Sequence, residues 1–433
     1  MKEYDWGNTH SFRTCEGNWV ASDGNVAIIR PKDSFGYQDH WPEPAFTGDS
    51  SNLVDRAEDG GVTVARYGVS WGTVGVTDSQ PGSCERPAGN WNDTVNHPNA
   101  LYDAIYFKLT GSHACTAEPL RAGAIRPLII ASGAAEQYDK WRCDNLNTQD
   151  CTGAVGSCTA ETSPNPDING PATITGSAAN LDWQDFVRSL AERYPWARGI
   201  EVRNEPNHRN FWGGCAPEPA RYAALLRHAD AGVDQADPLY SIPKVPVVLA
   251  GMSPQEDPED DGMEWRTYLE QVAATANASA TPLAEQFDVL GLHPYRSRGD
   301  RNRGEDFQEA VMTDVRQART LLADPGVDAA GKTVWVTEVG VRTTGDSDFP
   351  TWVSSADAQA NALRNIYQVL RNDSRVPVVI VHRFVDSTSD EDVDGIGYGV
   401  LRAWNHPYPL SAKIAYRCLA LARGVAPPIG DCP

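Results

Sequence analysis

The chain has 433 residues and a mass of 47.1 kDa, enough for one large α/β domain with a sizeable core and too much for a small binding module. Lys and Arg number 37 against 58 Asp and Glu, a formal charge of −21 that repels polyphosphate backbones and argues against nucleic acid as a partner. No run approaches the ~18 apolar residues of a spanning helix, so a membrane protein is not expected.

Residues 1–32 are read as an N-terminal extension packed on the domain that follows, 33–433. From there short β-branched runs alternate with amphipathic stretches to the C-terminal end. Strands are predicted at 33–38, 62–67, 125–131, 199–203, 245–250, 287–292, 333–337 and 376–381. Helices are predicted at 181–194, 219–236, 305–323, 355–371 and 409–422. In the first of these Trp183, Phe186, Val187, Leu190, Ala191 and Tyr194 recur at i, i+3, i+4, i+7 spacing, with Asn180 as the expected N-cap. Eight strands with helical crossovers predict an α/β fold, a (β/α)₈ TIM barrel with long loops on the catalytic face. Residues 132–179, with no sustained period, are expected to leave the barrel as one such loop.

Nine cysteines are many for a reducing compartment. Cys115, Cys143, Cys151 and Cys158 fall in or near segments of weak pattern, so disulfides are expected to pin the long loop, and their spacing lacks the pairing a zinc site needs. No signal peptide is visible in Met1 to Arg13, and cysteine usage alone predicts a secreted protein.

In a barrel of this kind catalytic groups follow the apolar run of each strand. Two glutamates stand there: Glu205 in Arg203-Asn204-Glu205-Pro206-Asn207, and Glu338 in Thr337-Glu338-Val339-Gly340. A charge where a buried strand meets the barrel mouth needs partners or a task, and a structural ion pair is the plain alternative for either one alone. Two carboxylates across one cleft are what glycosidic bond cleavage requires. The 13 Trp and 15 Tyr supply flat faces suited to sugars; Trp71, Trp212, Trp352 and Trp404 are candidates, each equally explained by ordinary packing.

The run Ile200-Glu201-Val202-Arg203-Asn204-Glu205-Pro206-Asn207, followed by Phe211-Trp212 and by Thr337-Glu338-x-Gly340, resembles the clan A glycoside hydrolases. Within the clan it is similar to the β-xylosidase and α-L-iduronidase family and cellulase-like relatives. That resemblance implies a retaining hydrolase with Glu205 as acid/base, Glu338 as nucleophile and Asn204 as donor to the sugar 2-hydroxyl. It also implies Arg66, His293 and Tyr295 beside the nucleophile, Trp71 and Trp212 at the substrate, and no required cofactor. Arg203 stands where many relatives carry Trp. Strand alternation would turn it away from its neighbours, toward a barrel-supporting ion pair rather than an anionic sugar. A carbohydrate-binding protein on a barrel scaffold, or a transglycosylase, are the alternatives.

Two further patterns compete. Gly68-Val69-Ser70-Trp71-Gly72 matches a nucleophile elbow, but the Gly, Pro, Ser and Asp of 72–92 are not expected to start the helix an elbow needs. Asp390, Asp392 and Asp394 have the spacing of a calcium loop, yet the twelfth position is Leu401, which excludes an EF-hand and leaves at most a simpler structural Ca²⁺ site.

Overall fold

The computed structural model describes residues 23–30, 33–40, 51–74, 84, 91, 102–132, 178–208, 211, 217–236, 243–254, 262–279, 281–297, 304–343, 353–383, 398, 400–401 and 413–422. Strands β1 (Asp23–Arg30) and β2 (Asp33–His40) form an antiparallel hairpin, followed by α1 (Ser51–Asp59) and β3 (Val62–Ser70). A single turn α2 (Trp71–Val74) and α3 (Tyr102–Thr110) precede β4 (Arg126–Ser132). Then α4 (Ala178–Arg193), β5 (Gly199–Val202), α5 (Pro219–Gln235), β6 (Val247–Met252) and α6 (Trp265–Asn277) alternate. The chain continues through β7 (Val289–Leu292), α7 (Phe307–Leu322), β8 (Thr333–Val339), α8 (Ala356–Arg371), β9 (Val378–His382) and α9 (Ile414–Ala422).

Strands β3 to β9 pair in parallel with their successors. Closure comes from β2, parallel to β9 from Ser34↔Val378 to Tyr37↔Val381 and meeting β3 at Gln38↔Arg66. This is the predicted α/β barrel. All eight predicted strands are present, with ends moved by a few residues, and β1 is an additional strand, antiparallel to β2 and β3, inside the segment read as an extension.

The helices begin where local chemistry satisfies their free amides. Asp306 accepts from the Glu309 amide at 2.8 Å to open α7, and Ser355 accepts from the Ala358 amide at 3.1 Å to open α8. Asn180 is not the cap expected: α4 starts at Ala178, which puts Asn180 in its first turn. Helices α1, α3 and α6 and the single turn α2 are additional to those the sequence predicts.

Burial divides into two layers. The large layer packs helices onto the outside of the barrel, with Trp183, Phe186, Val187 and Leu190 of α4 as predicted. The second is small: Val64, Leu128, Val248, Val289, Trp335, Val378 and Ile380 come from six strands and can meet only inside the barrel. This apolar floor fixes which residues of each strand point inward, and so which stand above it.

Cys84 and Cys115 form a disulfide, and Cys418 is disulfide-bonded as well. Cys143, Cys151 and Cys158, with residues 133–177 of the expected loop, lie outside the described residues.

Candidate active site

Side chains on a strand alternate, so the next inward positions above the floor follow from the floor itself. Val64 leads to Arg66, Val289 through Gly291 to His293, Trp335 to Thr337, and Ile380 to His382. Gly199, whose missing side chain leaves room for Val248 and Leu128, leads to Glu201. Along these five strands the barrel therefore changes from hydrocarbon to a polar cluster within one or two steps.

Arg66 is the hub of that cluster. Its guanidinium is wholly buried and divided among three acceptors: Glu201 through Nε at 2.6 Å and Nη2 at 3.0 Å, Asn204 Oδ1 at 2.5 Å, and Glu338 Oε2 at 2.9 Å. Burial works against its charge, but Glu201, by charge and by hydrogen bond, with Glu338 and Glu205, holds it above the ordinary guanidinium value. The Asn204 amide is oriented by this contact. With its oxygen committed to Arg66, its NH₂ is the end that can donate elsewhere.

Both predicted glutamates sit where alternation breaks. The backbone turns left-handed at Arg203 (φ 70°) and again at Glu205 (φ 38°), anchored by Arg203 N–H on the Ala131 carbonyl (2.9 Å) and Glu205 N–H on the Gly251 carbonyl (3.0 Å). On the far wall the β8–β9 register shifts between Val336 and Val339, at Glu338. Asn207 secures the first corner: its side-chain amide donates to the carbonyls of Ser253 (2.8 Å) and Met263 (3.0 Å) and accepts from the Ser253 amide (3.2 Å).

Tyr295 donates to Glu338 Oε1, and burial, then the Glu338 charge, push its phenol well above the usual value, so it remains a donor. His382 Nδ1 lies 3.3 Å from the same oxygen, with its ring edge-on to Tyr398. His293 Nδ1 is 2.8 Å from Glu205 Oε1 and 3.9 Å from Glu338 Oε2. Burial, then Arg66 and His382, drive its pKa well below the ordinary value, so the ring is neutral near pH 7. One oxygen of each glutamate and one His293 ring nitrogen lie within 4.8 Å of one another.

Those three groups are also the one set of metal-ligating type found among the described residues. The Arg66 guanidinium at Glu338 Oε2 already supplies positive charge there, which opposes a divalent cation.

The structure thus brings together Glu205, Glu338, Asn204, Arg66, His293 and Tyr295. It does not bring Trp71 with them. That ring, 4% exposed, stacks on Phe186 at 6.1 Å and meets Trp183 edge-on at 5.6 Å, so it packs the barrel against α4 rather than presenting a face to a sugar. Arg203 donates to the Phe211 carbonyl at 2.7 Å. Gly340 is needed for room rather than for a left-handed turn, since a Cβ there would lie 2.8 Å from the His382 carbonyl and from Tyr398. Ser70 is buried at the end of β3, and a single helical turn, Trp71–Val74, follows it where no helix was expected. Trp212, Trp352, Trp404 and the acidic positions Asp390, Asp392 and Asp394 lie outside the described residues.

Two site residues escaped the sequence reading. Glu201 carried a signal, a charge between Ile200 and Val202 in a four-residue strand whose every position is buried. His382 carried another, the first polar residue after the apolar run of the last strand.

No protein-family model matches the chain, and no curated protein matches it. Solved structures do. A family 39 glycoside hydrolase from the gut symbiont Bacteroides cellulosilyticus WH2 superposes with a TM-score of 0.51 at 15% identity, over 90% of this chain and 67% of its own. A GH5_18 protein from Bifidobacterium longum subsp. infantis gives 0.52 at 13% identity, over 88% and 74%. A glucosidase from Croceicoccus marinus gives 0.50 at 13% identity, over 86% of this chain and 63% of that one. At these identities the likeness establishes a shared barrel. Among the described residues no helix is long and apolar enough to cross a membrane.

Proposed function

We propose that the chain is a retaining glycoside hydrolase acting on an O-linked carbohydrate. The observation that carries this reading is the approach of Glu205 and Glu338, from strands on different sides of one barrel, to within 4.8 Å. Retaining enzymes hold their carboxyl pair ~5–5.5 Å apart, whereas inverting enzymes need ~6.5–9.5 Å to admit a water.

The surroundings of the two carboxylates differ in the way the reaction needs. Glu338 accepts from Arg66 and Tyr295, donors that favour its charged form. Glu205 faces the neutral His293 ring at 2.8 Å, an environment in which a proton is more easily kept. In the first step Glu338 forms a bond to the anomeric carbon as the glycosidic C–O bond breaks and the leaving oxygen takes the Glu205 proton. In the second, water adds to that carbon, the ester bond to Glu338 breaks, and Glu205 accepts the water proton. Atoms and charges balance with the two carboxylates and one water. The Asn204 NH₂ is oriented to bond the sugar 2-hydroxyl, an interaction that strengthens as charge develops.

The test is chemical rescue. Glu338→Gly is expected to be inactive toward an activated aryl glycoside and to recover turnover with azide, giving the glycosyl azide of inverted configuration. A folded variant that azide does not rescue would move the nucleophile elsewhere. Product analysis of the parent chain separates hydrolysis from transfer to a second sugar.

A further inference from the structure

Glu201 is the one anion in the cluster that the mechanism above does not use. It is fully buried, carries the bidentate bond from Arg66, and its Oε1 also accepts from the Gly251 amide at 2.8 Å and the Thr337 hydroxyl at 3.4 Å. Four donors fix its position from three other strands, β3, β6 and β8. On its remaining side stands His293, whose Nε2 lies 3.9 Å from Glu201 Oε1 and has no hydrogen-bond partner among the described residues. The ring is held there by lack of space: a Cβ on Gly251 would be 2.0 Å from Nε2.

A neutral imidazole carries its proton on one nitrogen and a lone pair on the other. With the proton on Nδ1, the bare lone pair of Nε2 would point into the field of a buried carboxylate. With the proton on Nε2, the N–H dipole points at that carboxylate, and Nδ1 becomes an acceptor 2.8 Å from Glu205 Oε1. An acceptor at that distance demands a proton on Glu205. We propose that Glu201 is a positioning residue that selects the Nε2–H tautomer of His293 and thereby keeps Glu205 protonated, while the same carboxylate aligns Arg66 on Glu338. One buried anion would then set the two catalytic glutamates in opposite states. The role given to Glu205 rests on the reading of the previous section; the tautomer does not.

The remaining charged or titratable groups around the ring are consistent with this. Arg66 opposes a second proton on it, as does His382, and Glu338 Oε2 at 3.9 Å from Nδ1 is already bonded to Arg66.

The experiment is ¹⁵N NMR of the histidine-labelled full-length protein near pH 7, with the His293 signals identified by their loss in His293→Asn. The two ring nitrogens differ strongly in shift between tautomers. The expected result is a protonated Nε2 and an unprotonated Nδ1; the reverse tautomer, or a doubly protonated ring, overturns the proposal. Glu201→Gln is expected to move the proton to Nδ1, and Glu201→Asp, which keeps the charge, to leave it on Nε2. Persistence of Nε2–H in a folded Glu201→Gln would show that Glu201 does not select it. The measurement on the parent protein needs no variant of Glu201 and no turnover, so a chain without glycosidase activity that shows the Nε2–H ring would fail the functional reading and retain this one.

Discussion

The hydroxyl of Tyr295 donates to Oε1 of Glu338, the oxygen that His382 also faces at 3.3 Å, while Arg66 holds Oε2. Glu338, the proposed nucleophile, is therefore fixed at both oxygens. Tyr295→Phe removes a hydrogen bond to a charged acceptor, worth ~1.5–3 kcal/mol, and kcat/KM is expected to fall about 10- to 100-fold. Loss of a donor to the anion makes Glu338 more basic, so the acidic limb of the pH–kcat/KM profile should move to higher pH. An unmoved limb would mean that the phenol does not govern the carboxylate.

In the proposed reaction Glu205→Gln removes the proton that the leaving oxygen takes. The loss is expected to be ~10²–10⁴-fold for sugar or alkyl leaving groups and small for a dinitrophenyl glycoside in the glycosylation step. A series of aryl glycosides of graded leaving-group pKa checks this. Equal losses across the series would contradict an acid at this position.

The buried neutral ring of His293 ties stability to pH. Its folded pKa is depressed, by burial first and then by Arg66 and His382, below the ~6.5 of the unfolded chain. Below pH 6.5 the unfolded state binds a proton the folded state refuses, so the contribution is fully present above that pH and declines as pH falls, by up to ~1.4 kcal/mol per unit. Urea unfolding of the parent and of His293→Asn between pH 7.5 and 4.5, on the order of the span in which the ring titrates, should give a shallower slope for the variant. Coincident slopes would show that the ring does not titrate in this way.

Gly251→Ala tests the packing behind the site. The new methyl would fall 2.0 Å from His293 Nε2 and 2.6 Å from Thr337 Oγ1, both in the rigid interior. A loss of ~1–3 kcal/mol or more is expected, together with loss of activity. Gly331→Ala, where nothing lies within 4 Å, should stay within ~0.5 kcal/mol and serves as the control. Equal effects at the two positions would deny the close approach.

Much of this arrangement was legible from residue order. Runs such as Val378-Val379-Ile380-Val381 have the length and β-branching of buried parallel strands, and all eight predicted strands are present within a few residues. The rule that chemistry follows each apolar run found Glu205 and Glu338, the family resemblance supplied His293, and the same rule applied to the last strand reaches His382. Trp71 shows its limit: an aromatic residue just beyond β3 can turn toward a helix as readily as toward the cleft, and only the Phe186 and Trp183 rings decide which. Glu201 was hidden for a different reason. Its partners come from β3, β6 and β8, and no local pattern records a bond made across a barrel.

Adjacent residues of an extended chain look to opposite sides, yet Asn204 and Glu205 both serve one cleft, and the left-handed torsions at Arg203 and Glu205 are what allow it. Each such torsion in a residue with a side chain costs about 1–3 kcal/mol. This corner thus gives laboratory evolution for heat resistance something to relieve: Arg203→Gly would relax the chain and leave both glutamates in place, at the cost of the bond to the Phe211 carbonyl.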